Sequence, residues 1–197
     1  MIVLPVSGAE LTPLDENLNG VGFEKIAYKY GVTVYKHKTS DNIRVAAEGT
    51  IAAPPDLVRA VLLDYASQKG NIARVSESVV LKNGPGWIVV YQHLNLPIIS
   101  DRDFTLYVTW GAEGENQWIV YRTANSLGYE ERDGIVRVPF HHGSWQLVPL
   151  AGGKATRLRF QAQLDLAGWL PKWLARSNAG KEVPDLFASI RKLVAAR

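Results

Sequence analysis

The sequence predicts an α+β fold, a curved antiparallel β-sheet wrapped around one long C-terminal α-helix. Three observations lead there. From residue 75 to 165 the chain reads as strand after strand joined by hairpin-sized turns. The last stretch carries Val183, Leu186, Phe187, Ile190, Leu193 and Val194 at helical spacing. Several strands also have one heavily apolar face. Phe104, Leu106, Val108 and Trp110 alternate in one; Leu158, Phe160, Ala162 and Leu164 alternate in another, where Arg157, Arg159, Gln161, Gln163 and Asp165 take the opposite side.

Residues 14–30 are predicted helical, because Leu14, Leu18, Phe23, Ile26, Ala27 and Tyr30 recur at near-helical spacing, with Gly31 as the stop. Val32 to Lys36 and Ile43 to Ile51 alternate around the turn chemistry of Thr39-Ser-Asp-Asn42 and predict a hairpin. Pro54-Pro55-Asp56 opens a helix, proline being suited to a first turn. Leu57, Val58, Val61, Leu62 and Tyr65 then form one apolar stripe. The predicted strands that follow are Val75–Leu81, Trp87–Leu94, Asp103–Trp110, Gln117–Ser126, Ile135–Phe140, Ser144–Val148 and Thr156–Leu164. Asn83-Gly-Pro-Gly86, Gly111 to Asn116 and Ala151-Gly-Gly-Lys154 are the clearest turns between them. In the closing helix Pro171 lies near the start, and Pro184 predicts a kink or break near Val183.

The 197 residues suit one domain spanning 1–197, with a core over about 20–195. Apolar residues are 47% and charged residues 21%, ordinary globular usage that argues against disorder. The formal net charge of +3 is too small to make nucleic acid the expected partner, which needs a dense basic face; it is compatible with a transient contact to an anionic membrane surface. The absence of cysteine excludes disulfides, a thiolate metal site and a cysteine nucleophile. No run of 18 apolar residues is present to span a bilayer. The first ten residues lack the basic region of a complete signal peptide and fit the remainder of a trimmed one, so the compartment stays open.

The apolar strand faces have two readings. One is a filled core beneath the helix. The other is a cavity for an apolar ligand, since a strongly curved sheet with one helix encloses more volume than a few side chains fill.

An ordered set of motifs favours the second. Asp101-Arg-Asp-Phe104, Gly134-Ile-Val-Arg137, Val148-Pro-Leu150 and Asp165-Leu-Ala-Gly-Trp-Leu-Pro-Lys172 resemble, in this order and spacing, the landmarks of the START family of lipid-transfer domains, related to steroidogenic acute regulatory protein. Gly31-Val-Thr-Val-Tyr35 and the Leu63-Asp64 region are similar too. The resemblance covers nearly the whole chain. It implies a helix-grip fold enclosing one lipid-sized tunnel, a lid made by the last helix and a loop, and no cofactor. Sterol-binding members resembling the founding protein carry an acidic residue thirteen positions before the motif arginine and a basic one six after it. By that count the positions here are Val89 and Val108, both apolar. The polar pair is lost as a unit, which avoids one unpaired buried charge.

The expected lipid-binding residues are Trp87, Val89, Tyr91, Phe104, Leu106, Val108, Arg122, Phe160, Ala162, Trp173, Phe187 and Ile190. Arg122 is the candidate for an anionic headgroup, and Tyr91 and His93 for a hydrogen bond at the tunnel. Arg102 and Asp103 point to opposite faces and are expected in structural ion pairs, with Arg137 as one partner. His141 and His142 are strand neighbours that diverge, so no metal site is expected. Trp169 and Trp173, beside Lys172 and Arg176, have the composition of an interfacial anchor. No nucleophile elbow, phosphate-binding loop or dinucleotide fingerprint is present. The expected function is non-catalytic binding and transfer of a hydrophobic molecule (lipid, sterol, fatty acid or isoprenoid). The alternative is a cyclase- or aromatase-like enzyme using the same cavity, and an interaction module gated by its ligand is a third class.

Overall fold

The structure is a computed structural model that describes residues 22–38, 43–97, 99–168 and 179–197. One sheet dominates it. Its strands are β1 (Phe23–Lys29), β2 (Val32–His37), β3 (Ile43–Ile51), β4 (Val75–Gly84), β5 (Trp87–Leu94), β6 (Asp101–Glu113), β7 (Asn116–Thr123), β8 (Ile135–Arg137), β9 (Phe140–Leu150) and β10 (Ala155–Asp165). Helix α1 (Pro55–Leu63) follows β3, and helix α2 (Ala179–Ala195) closes the chain. The sheet order is β1-β2-β3-β10-β9-β7-β6-β5-β4, so β10 inserts beside β3 and joins the first hairpin to the later meander.

Every pairing on this path is antiparallel; β8, which pairs in parallel with β6, departs from the expected meander. Three residues suffice for β8 because its work is to carry Arg137 onto Asp103, its register partner. The two strands expected over 135–148 are therefore divided differently: Phe140 belongs to β9, which runs unbroken to Leu150.

The helix expected over 14–30 is corrected where it can be seen. Residues 14–21 lie outside the described residues, and Phe23–Lys29 is an edge strand paired with β2. A bulge between Lys25 and Ala27 puts an extra residue, Ile26, into β1 and breaks its alternation, which is what made the spacing look helical. Gly31 is a hairpin residue and not a helix stop. Tyr30 and Gly31 have φ of 54° and 70°, both left-handed, as a two-residue turn matching strand twist requires.

Helix α2 lies against β1, β2, β3 and α1. Val183, Phe187, Ile190 and Val194 form its buried stripe. Gly49 on β3 makes room for it: a Cβ there would come within 3.1 Å of the Phe187 ring. The helix passes through Pro184 without the expected break. The missing N–H forfeits one bond, to the Gly180 carbonyl, and burial of the apolar stripe on either side holds the helix together. Pro171 lies outside the described residues. No helix among the described residues is long and apolar enough to cross a membrane.

Candidate hydrophobic ligand site

Antiparallel register fixes which side chains share a face, because directly paired residues point the same way. Ile88 on β5 pairs with Val108 on β6, which pairs with Tyr121 on β7, which pairs with Gly143 on β9. Gly143 pairs with Ala162 on β10, and Ala162 with Val45 on β3. This row and its neighbours, among them Val90, Leu106, Ile119, Trp145, Leu147, Leu158 and Phe160, share one buried cluster with α1 and α2. That is the concave face. The opposite face reads Tyr107, Arg122, His142, Gln163 and Arg44 along an equivalent row.

The expected lining set divides between these faces. Phe104, Leu106, Val108, Phe160, Ala162, Phe187 and Ile190 all belong to the concave cluster, each 8% exposed or less. Trp87, Val89, Tyr91 and Arg122 point the other way and are corrected. Trp87 stacks on Tyr107 at 5.8 Å, and Val89 pairs with Tyr107. The Tyr91 hydroxyl donates to Asp103 Oδ2 at 3.0 Å and its ring meets Tyr129 edge-on. The Arg122 guanidinium lies 5.7 Å from the Tyr107 ring centre, far from any interior headgroup position. His93 bonds Asp101 at 2.9 Å on the same outer side. Trp173, with Trp169, Lys172 and Arg176, lies outside the described residues.

Of the two positions reached by that count, Val108 lies on the concave face and Val89 on the opposite one. Ile88 is the partner of Val108. Both positions are apolar, so a charged pair is absent from this part of the concave face either way.

Under α2 the concave face is sealed by aromatic packing, with Trp145 4.5 Å from Phe160 and 6.1 Å from Phe187 between ring centres. Toward the opposite strand ends the seal loosens. Ile43, Val80, Leu94 and Leu166 pack on the core but are only partly buried. Three polar side chains also face this interior. Tyr65, from the short 3-10 turn after α1, and Tyr121 are buried, at 6% and 5% exposure. His141 pairs with Leu164 and sets its ring edge-on to Phe104 at 4.9 Å and to Tyr121 at 5.1 Å. Burial raises the pKa of both phenols, and burial, then the neighbouring His142, drives His141 down to about 4. The sequence reading missed this group. The available signal was Gly143, a glycine in mid-strand, which marks close approach of another group.

Arg102 and Asp103 diverge as expected, but only one forms the expected ion pair. Asp103, 1% exposed, takes Arg137 bidentately, Nε at 2.6 Å and Nη2 at 3.1 Å. The Arg132 guanidinium donates to the Tyr91 hydroxyl, which joins the 124–134 segment to the same network. Arg102, also 1% exposed, forms no ion pair with a carboxylate among the described residues. Its guanidinium donates to three backbone carbonyls, Leu166 at 2.8 Å, Ala167 at 3.0 Å, and Ser100. It thus clasps the loop before β6 to the segment that leaves β10 toward α2.

A family model described as polyketide cyclase/dehydrase and lipid transport matches residues 51–191. An uncharacterized protein of Pseudomonas aeruginosa is 26% identical over 150 residues, covering 75% of this chain and 74% of its own. The STAR-related lipid transfer protein of Xanthomonas axonopodis superposes with a TM-score of 0.81 at 22% identity, over 89% of this chain and 99% of that one. Human StAR-related lipid transfer protein 5 gives 0.79 at 18% identity, over 89% and 87%. These likenesses show the helix-grip fold.

Proposed function

The chain belongs to the polyketide cyclase/dehydrase and lipid transport family, and we propose that within it this protein is a non-catalytic carrier, holding one hydrophobic molecule between the concave sheet face and α2. One observation carries the reading. Across β5, β6, β7, β9, β10 and β3 a continuous row of apolar side chains lines the concave side while most charged members face out, and Arg102, which shares the concave side, is bound to backbone carbonyls. Burial of apolar ligand surface at about 25 cal/mol per Å² supplies affinity without any reactive group. The ligand's own preference for a bilayer offsets much of that gain, so exchange stays reversible.

The lid is the N-terminal half of α2 together with the loop before β6. The C-terminal half is strapped down. Arg191 donates to the carbonyls of Tyr30 at 2.7 Å and Thr50 at 2.9 Å, and Arg197 pairs with Asp64. The N-terminal half contains Gly180 and Pro184 and is held by longer, exposed pairs, Lys29 with Asp185 at 3.6 Å and Arg74 with Glu182 at 3.8 Å. Such exposed pairs contribute little.

The test is transfer of pyrenyl-decanol from donor to acceptor vesicles of phosphatidylethanolamine and phosphatidylglycerol. A transfer rate that rises in proportion to protein concentration supports the carrier. A rate equal to that of vesicles alone contradicts it.

A further inference from the structure

The interior of the concave face is not uniformly apolar. The Tyr121 phenol lies over Gly143, in space that exists because residue 143 has no side chain. The His141 ring sits 5.1 Å from the Tyr121 ring, centre to centre, and 4.9 Å from Phe104, both contacts edge-on. The His141 Nδ1 is buried without a hydrogen-bond partner. The Tyr121 and Tyr65 side chains are both more than nine-tenths buried on the same face. Buried polar groups in folded proteins are nearly always satisfied, and leaving one unmade costs about 1–3 kcal/mol. The unpartnered His141 Nδ1, with two buried phenols on the same face, marks a place where a ligand atom can bond.

We propose that Tyr121 and His141, with Tyr65 beside them, form a station that hydrogen-bonds one uncharged polar group, a hydroxyl or a carbonyl, on an otherwise hydrophobic ligand. The proposal rests on the carrier reading and specifies which class of molecule is carried. Burial keeps the imidazole neutral at physiological pH, so it offers one N–H donor and one ring-nitrogen acceptor. Each phenol adds a donor and an acceptor. An alcohol, which both donates and accepts, matches this set in full, and a ketone or ester carbonyl matches its donors. A carboxylate or phosphate does not. It would shed its water with no cation released to meet it, because the Arg102 guanidinium is already taken up by the carbonyls of Ser100, Leu166 and Ala167. Arg122 and its register neighbour His142 lie on the far side of the sheet.

The test uses one chain length and three head groups: dodecane, 1-dodecanol and dodecanoate, titrated into the full chain at pH 7.5 and followed by quenching of tryptophan fluorescence. The proposal expects 1-dodecanol to bind at least about 3-fold tighter than dodecane, and dodecanoate to bind more weakly than 1-dodecanol. Tyr121→Phe removes one hydroxyl and keeps the ring, so the fold is retained. It should weaken 1-dodecanol by about 3- to 10-fold, the range of one neutral hydrogen bond, and leave dodecane unchanged. His141→Leu should act in the same direction. Equal loss for dodecane and 1-dodecanol would assign these residues to packing and overturn the station while the carrier stands. Tightest binding of dodecanoate would overturn it as well. No binding of any of the three to the wild type would overturn the carrier reading itself.

Discussion

The Tyr121 hydroxyl occupies the volume that a side chain on Gly143 would need. A Cβ placed on Gly143 would fall far inside van der Waals contact with the phenol oxygen, and 2.6 Å from the Gln161 carbonyl oxygen on the other neighbouring strand. Two adjacent strands thus specify one residue by exclusion, with no demand on backbone angles. Gly143→Ala should therefore lower stability by about 1–3 kcal/mol through overpacking. Urea denaturation reads it directly. Unchanged stability would mean that the phenol is not seated over residue 143.

Stability should depend on pH through His141. In the unfolded chain the imidazole titrates at its ordinary value near 6.5; in the fold it titrates at about 4. Between these values the unfolded chain binds a proton that the folded chain refuses. The stabilisation is complete above the unfolded value, is lost as pH falls from about 6.5 to 4, and changes no further below that. A difference of about 2.5 pH units corresponds to about 3 kcal/mol. His142, also lowered by burial, adds in the same direction. Denaturation midpoints at pH 7 and pH 4.5 should converge in His141→Leu; an unaltered pH slope would contradict the account.

Asp103 and Arg137 should be strongly coupled. Asp103 is sealed from water, and Arg137 is the cation bonded to it. Arg137→Met leaves a buried carboxylate without its cation and should cost about 3–5 kcal/mol. Asp103→Asn with Arg137→Met should lose less than the sum of the single changes. A double-mutant cycle with no coupling would show that the pair contributes nothing beyond position.

Arg102→Lys tests the clasp. A lysine keeps the charge but cannot present three N–H groups in the planar fork that reaches the carbonyls of Ser100, Leu166 and Ala167. Amide exchange should accelerate at Leu166 and Ala167, and release of a bound alcohol should quicken, while the strand amides of β9 and β10 keep their protection. Uniform acceleration across the sheet would mean a general loss of stability.

Much of the fold was legible in the sequence because strand faces alternate with a period of two. Leu158 to Leu164 declared its buried side unaided, and the register places that side beneath the helix stripe of Phe187 and Ile190. What failed did so where a count crosses an irregularity. The bulge at Ile26 disguised β1 as helix. Counting back thirteen residues from Arg102 crosses the loop before β6, whose path decides whether Ile88 or Val89 faces Val108. One residue there turns Trp87, Val89 and Tyr91 from lining to outer surface. The Tyr65, Tyr121 and His141 group was out of reach because its members come from three elements whose convergence depends on register and not on spacing.

The most direct test of the carrier is native mass spectrometry of the intact protein after incubation with vesicles of mixed lipid extract, followed by organic extraction of what it retains. The account predicts a one-to-one adduct of a few hundred daltons whose extract is a neutral, hydroxyl- or carbonyl-bearing hydrophobic molecule. A protein that keeps its bare mass after vesicle loading, with nothing in the extract, would contradict it and return the concave face to the status of a filled core.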